Sequence, residues 1–338
     1  MFKINIAVPL LMILFACVPQ ETKGPDKKIM SSLGSKFKNE WLREAKIFED
    51  RIQKDSSDVE AYLGFAESHV INYIFGYVSR ADAIPKAKDA FDRVLSLDST
   101  HAGVLKLSGI LKFLDWDWTG AEQSFKSSIT TSPEDLSARH WYSLYLAAMS
   151  RMDEAKAQHD TIQTMDVNED YLIGRGSMLY FAREFKQMKE LMIKAVNKDT
   201  TVAWGYDWLG MAYIELKQYD ESLATYYKAF ELSDGTVEVG AGLGHALGQA
   251  GRRETAKQMA DFYAMAAEDK YLPYCQRAFI HISIQEYEES LKLLEKAYEE
   301  KSWFLIFMNI EPWYEPLRGK QRFQTLVEKM NYPIEKPK

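Results

Sequence analysis

The sequence has few of the residues and spacings from which catalytic or metal sites are built. Two cysteines among 338 residues are too few for a disulfide framework. The six histidines show no metal-ligand spacing such as His-Glu-x2-His, and there is no Gly-x-Ser-x-Gly elbow. Gly240–Gly244 resembles no phosphate-binding loop, because it lies inside a helical pattern in which small residues let helices pack closely. We therefore predict no enzymatic activity, no cofactor and no metal.

Basic runs are also missing. Lysine and arginine total 42 residues against 49 aspartates and glutamates, which gives a formal net charge of −7. No stretch of Lys or Arg is long enough to follow a phosphate backbone, so nucleic acid is not an expected partner. Hydrophobic residues make up 46% of the chain, which is enough to form a folded core.

The amino terminus contains an apolar run, Ile6–Phe15, that follows Lys3. This run is too short to cross a bilayer as a permanent helix, and it is typical of an export signal. Leu14, Ala16 and Cys17 stand at positions −3, −1 and +1 of a possible cleavage site. This pattern resembles the bacterial lipobox.

The resemblance implies that residues 1–16 form a lipoprotein signal peptide and that Cys17 carries a lipid anchor. An ordinary secreted protein and a retained anchor are the alternatives. Residues 17–33 are polar, contain Pro and Gly, and are expected to form a flexible tether. Val18 is not the Asp that retains some lipoproteins at the inner membrane, which favours the outer membrane of a bacterial cell envelope.

The stretch Thr201–Asp234 predicts two antiparallel helices joined by a short turn. Apolar and small residues recur at helical spacing in both halves, and Gly210 stands where a neighbouring helix approaches closely. In the second half, Ser222 and Ala229 leave room for the first helix. The order of these aromatic, leucine, glycine and small residues resembles the tetratricopeptide repeat, a unit of about 34 residues.

The small-residue position of this unit recurs along the chain with the period of that repeat, about 34 residues. Its successive members are Ala87, Ala121, Ala155, Met188, Ser222, Ala256 and Ser290. We therefore predict an all-α protein, a right-handed superhelical solenoid of about seven repeats over residues 55–300. A capping helix at 34–54 and a C-terminal cap at 301–338 complete it, and Val70–Pro85 is an insertion in the first repeat.

Two further motifs match a narrower group of repeat arrays. The turn Asp115–Trp118 reads Asp-Trp-Asp-Trp, and Glu311–Pro316 contains two Glu-Pro pairs. Both resemble the tetratricopeptide arrays that follow winged-helix or other signalling domains in bacterial regulators. Here a lipoprotein signal stands in place of such a domain, so the regulatory role is not implied.

The concave wall of such a solenoid is lined by the first helix of each hairpin, and its inward positions predict a groove for a protein or peptide partner. The candidate groove residues are His140, Tyr180, Phe181, Trp204, Asp207, Met211, His245 and Gln249. One alternative is a small-molecule or glycan-binding module with a deep aromatic pocket beside Trp116–Trp118. Another is an accessory subunit of an envelope sensor or enzyme.

Overall fold

The computed structural model describes the backbone of residues 35–165 and 169–333. The predicted signal peptide, the tether and Cys17 lie outside these residues. Every regular element of the described residues is helical, and together they form an α-solenoid, as predicted.

A first helix, α1, covers Ser35–Lys54, and seven helical hairpins follow it. The hairpins pair α2 with α3, α4 with α5, and so on to α14 with α15. Their bounds are α2 Val59–Ile74, α3 Arg80–Leu97, α4 Ala102–Leu114, α5 Trp118–Thr131, α6 Leu136–Ala148, α7 Met152–Gln163, α8 Glu169–Phe181, α9 Phe185–Lys198, α10 Ala203–Glu215, α11 Tyr219–Leu232, α12 Val237–Gln249, α13 Arg253–Ala266, α14 Tyr274–Ser283 and α15 Tyr287–Glu299.

The turns of the second to seventh hairpins share one backbone geometry. Each places a residue with a positive φ angle five positions before the small residue of its second helix. These residues are Trp116, Ser150, Arg183, Lys217, Gly251 and Gln285, with φ between 59° and 76°. In each turn the next residue donates its backbone N–H to a carbonyl oxygen five residues earlier, as Gln218 does to Tyr213 at 2.8 Å. This is the Schellman end of a helix, and it fixes the repeat register.

Close packing inside the hairpins follows the predicted small residues. A Cβ atom on Gly210 would lie 2.6 Å from the Tyr226 ring, and one on Gly242 would lie 2.4 Å from the same ring. Ser222 Oγ donates a hydrogen bond to the Gly210 carbonyl oxygen at 2.9 Å. The two glycines therefore hold one tyrosine ring between α10 and α12.

The insertion in the first repeat mostly lengthens its two helices and leaves a short loop after Ile74. In this loop the Phe75 ring stacks on Trp204 with centroids 4.6 Å apart. A Cβ on Gly76, which has a φ of 69°, would lie 2.8 Å from the Pro273 side chain. The first hairpin therefore meets the fifth and the seventh, and the solenoid closes on itself.

After α15 come two 3-10 helices, Trp303–Phe307 and Pro312–Leu317, and a last helix, α16, at Gln321–Lys329. We call residues 301–333 the C-terminal segment. The sequence predicts that it caps the end of the array, but it also runs through the interior. The C-terminal segment contacts the first four hairpins and the last two. Glu215, at the end of the fifth hairpin's first helix, lies close enough to Glu311 of the segment to raise the pKa of Glu311.

Candidate functional site

The eight predicted groove residues fall into two groups by exposure. Tyr180, Asp207 and His245 are buried, with 0%, 5% and 1% of their surfaces exposed. The other five, His140, Phe181, Trp204, Met211 and Gln249, are half-buried. No open groove runs along these positions.

Tyr180 and Phe181, at the end of α8, hold the C-terminal segment. The Tyr180 hydroxyl donates a 2.5 Å hydrogen bond to Glu311 Oε1, which also accepts the Trp313 backbone N–H at 3.0 Å. The Phe181 ring stacks on Phe307 with centroids 4.9 Å apart. Burial raises the pKa of Glu311 to about 7, and the Tyr180 hydrogen bond opposes that shift.

His245 and Gln249 belong to the same contact region on α12. The His245 ring stacks on the Trp313 indole with centroids 4.0 Å apart, and its Nδ1 lies 2.8 Å from the Phe279 carbonyl oxygen. Gln249 Nε2 lies 3.5 Å from His245 Nε2. Burial lowers the pKa of His245 to about 4, so the ring is neutral at pH 7. Its Nδ1–H then donates a hydrogen bond to the Phe279 carbonyl oxygen.

These contacts are too extensive for a peptide ligand to replace. Eight large side chains of residues 303–317 are at most 8% exposed: Trp303, Leu305, Ile306, Phe307, Met308, Trp313, Tyr314 and Leu317. Burying each contributes about 1.5–3 kcal/mol, whereas a peptide that binds with micromolar affinity gains about 8 kcal/mol in total. The expectation of an open groove is therefore wrong at Tyr180, Phe181 and His245, because the chain fills that space itself.

His140 faces the second helix of its own hairpin. Its Nδ1 lies 3.3 Å from His159 Nε2 on α7, and a Cβ on Gly174 would lie 3.0 Å or less from both rings. Burial lowers the pKa of His140 to about 4 and that of His159 to about 3. The two imidazole rings are neutral and share one hydrogen bond. His140 therefore helps to pack α6 against α7.

Trp204 and Asp207 lie one turn apart on α10, beside the loop of the first hairpin. The Phe75 ring covers one face of the Trp204 ring, and Trp204 as a whole is half-buried. Met211 lies one turn beyond Asp207 on the same helix. Glu238, in the first turn of α12, occupies the repeat position of Trp204 in the next hairpin. We call Phe75, Trp204 and Glu238 the mouth of the solenoid.

Sequence reasoning missed Phe75 and Glu238. Glu238 could have been found from the sequence, because it lies 34 residues, one repeat, after Trp204. No local pattern indicates that Phe75 reaches a helix so distant along the chain.

The aromatic pocket expected beside Trp116–Trp118 is also filled by the chain. Trp118 Nε1 donates to the Met330 carbonyl oxygen at 2.9 Å, and its ring stacks on Tyr332. The Lys301 ammonium lies 5.4 Å from the centre of the Trp116 ring. Both tryptophans therefore anchor the C-terminal segment to the second hairpin.

In the part of the chain that the structure describes, no three His, Cys, Asp or Glu side chains form a possible metal site. No described helix combines the length and apolar character needed to span a bilayer. Cys275 is buried, and burial raises its thiol pKa to about 12, which keeps the thiol protonated.

A family model described as a tetratricopeptide repeat matches residues 205–235. A chain in the crystal structure of the APC/C hetero-tetramer Cut9-Hcn1 is similar, with a TM-score of 0.58 and 12% identity over 86% of this chain. The match spans about half, 52%, of that longer chain. A tetratricopeptide repeat protein from Parabacteroides merdae matches with a TM-score of 0.50 and 12% identity, over 79% of this chain and 99% of that one. Comparison with curated proteins gives no match.

The matched repeat lies in the fifth hairpin, and the helical hairpins of the described residues form an α-solenoid that is similar in fold to these tetratricopeptide-repeat structures. This fold is typical of scaffolds for protein–protein interactions.

Proposed function

We propose that this protein is a lipid-anchored tetratricopeptide-repeat scaffold of the bacterial cell envelope that binds a protein or peptide partner and has no enzymatic activity. The repeat fold supports the scaffold role. The lipobox-like sequence before Cys17 supports the anchor, and Val18 supports an outer-membrane location.

The partner binds at the mouth of the solenoid. The observation that carries this assignment is the exposure of Trp204, which keeps part of its ring accessible where the C-terminal segment fills most of the inner wall. Half-buried aromatic side chains beside polar groups are typical of binding hot spots. Among the eight predicted groove residues, Trp204, Asp207 and Met211 thus contribute to the partner site.

The partner site is tested by crosslinking in the protein's own cells, followed by capture of the tagged full-length chain. Trp204→Ala is compared with Tyr227→Ala, a change of an exposed aromatic residue on the second helix of the same hairpin. We expect wild type and Tyr227→Ala to capture the same protein and Trp204→Ala to lose it. Equal capture by all three variants would contradict a partner site at the mouth.

The anchor is tested separately by cell fractionation. The wild-type chain is expected in the membrane fraction and Cys17→Ala in the soluble fraction. Membrane retention of the Cys17→Ala chain would overturn the lipid anchor and leave the partner site untouched.

A further inference from the structure

Asp207, one turn from Trp204, and Glu238 of the mouth lack the partners that buried carboxyl groups ordinarily have. Asp207 is 5% exposed, and Glu238 is half-buried with its Oε2 fully buried and without a hydrogen-bond partner. Among the described residues, neither side chain forms an ion pair or a hydrogen bond. By contrast, Glu311 in the same interior accepts two hydrogen bonds. Buried acids without such partners are unusual, because burial of a charge is costly unless it is compensated.

A third group is directed at the same place. Tyr226 is fully buried, and its hydroxyl has no hydrogen-bond partner. Its ring lies between Gly210 and Gly242, which follow Asp207 and Glu238 by about one helical turn, and a Cβ on Gly242 would lie 2.8 Å from the Tyr226 hydroxyl oxygen. Asp207 and Glu238 both raise the pKa of that hydroxyl. The hydroxyl and the two carboxyl groups thus provide oxygen acceptors on α10, α11 and α12.

The ionisable side chains that surround this cluster are acidic. Burial raises the pKa of Asp207 to about 7, and burial together with Asp207 raises that of Glu238. Glu215 at the end of α10 and Glu311 in the C-terminal segment also interact with the Tyr226 hydroxyl. Arg183 lowers the pKa of Glu215 and Arg318 lowers that of Glu311, whereas no cation of the described residues offsets the raised pKa of Asp207 or Glu238. A cation supplied by a binding partner would offset the cost of burying the ionised forms of Asp207 and Glu238.

We propose that Asp207, Glu238 and Tyr226 bind the guanidinium group of an arginine side chain, which reaches them past Trp204. This proposal rests on the proposed function, because the arginine belongs to the protein partner. A guanidinium group presents several N–H donors in one plane, which suits acceptors on adjacent helices, and its flat face stacks well on an indole ring. Phe75 supports the other face of Trp204 and holds it in place.

Binding a cation requires the carboxyl groups to be ionised. Because burial raises the pKa of both carboxyl groups and so favours their protonated forms, binding should release protons and become tighter as the pH rises. A site that merely shared a hydrogen bond with a neutral ligand would show neither effect.

The test is calorimetric titration of the full-length chain with ethylguanidinium, and with ethylurea as its neutral analogue. We expect ethylguanidinium to bind and ethylurea not to bind. Titrations at pH 7 in two buffers of different ionisation enthalpy should show net release of protons when ethylguanidinium binds. Asp207→Asn and Glu238→Gln should each weaken binding by about tenfold or more, while Asp220→Asn, a carboxylate in the first turn of α11 and away from the mouth, should leave it unchanged.

Two results would overturn the inference. One is the absence of ethylguanidinium binding, or equal binding of ethylurea. The other is unchanged affinity in both Asp207→Asn and Glu238→Gln. Because both changes are nearly isosteric and replace one carboxyl oxygen by an amide nitrogen, helical circular dichroism should be retained in each. The titration needs no partner, so its failure would leave the crosslinking result intact. Equal capture by wild type, Tyr227→Ala and Trp204→Ala would contradict the proposed partner site whatever the titration shows.

Discussion

The hairpins and the C-terminal segment stabilise this molecule in different ways. The hairpins repeat one turn geometry in unit after unit, and a contact such as Ser222 to Gly210 joins neighbouring helices. The C-terminal segment has no repeat, and its contacts span as many as 228 residues, as between Tyr73 and Lys301. Solenoid repeats ordinarily contact only adjacent units and unfold in parts. Because the C-terminal segment contacts hairpins that are far apart in the chain, we predict that the hairpins unfold together in one cooperative transition.

The largest expected effect comes from Trp313→Ala. The indole packs on His245 and Phe279, so its removal should destabilise the protein by about 3–5 kcal/mol. Urea unfolding followed by circular dichroism should also change from one transition to a broader curve or two steps, because the hairpins lose a shared contact. Tyr227→Ala, on an exposed helix face, is the control and should change stability little. A sharp single transition in Trp313→Ala would contradict the coupling role of the segment.

Glu311→Gln tests the same segment through pH. The folded-state pKa of Glu311 is about 7, above the ordinary value near 4.5, so the folded chain holds a proton that the unfolded chain loses first. The stability from this group is present below about pH 4.5 and is lost as the pH rises through about 7, a change of about 3 kcal/mol. The wild type should therefore lose more stability than Glu311→Gln between pH 5 and pH 8 in urea titrations. Parallel pH profiles would show that Glu311 is already ionised in the folded protein.

Gly210→Ala tests a local contact within the fifth hairpin. The new methyl group would meet the Tyr226 ring, and overpacking of this kind costs about 1–3 kcal/mol. The unfolding curve should shift to lower urea without broadening, since the C-terminal segment is unaffected. Gly319→Ala serves as a control for adding a methyl group, because no atom lies within 4 Å of the added Cβ there and its φ is not positive. Loss of a single transition in Gly210→Ala would place the coupling in the hairpins instead.

The smallest effects are expected in the turns. Gln285 has a φ of 64°, a conformation that glycine adopts with less strain, so Gln285→Gly should stabilise the protein by about 0.5–1 kcal/mol. Gly251→Ala, at the same position of the preceding hairpin, should destabilise by about 1 kcal/mol. Thermal unfolding would register both as small shifts in Tm of opposite sign. Shifts of the same sign would mean that the two turns are not equivalent.

The fold could be predicted from sequence because its signal is periodic and local. Gly210 and Ser222 occupy fixed positions of one repeat unit, and their contact is seen in the structure. The occupied interior could not be predicted in this way. His245 meets Trp313, which lies beyond the last repeat, and nothing in the repeat pattern indicates which part of the chain fills the concave side. Asp207 was selected for its inward position, whereas its lack of partners follows from the packing of three helices.

The contact of the Phe75 loop with Trp204 and Pro273 has a consequence for how such a chain can evolve. Open solenoids gain or lose units by duplication or deletion with little harm, because each unit needs only its neighbours. In this protein an added or deleted hairpin would carry Pro273 away from Gly76 and Lys301 away from Tyr73. The number of hairpins is therefore constrained by these contacts, whereas substitutions and changes in the surface loops leave them in place.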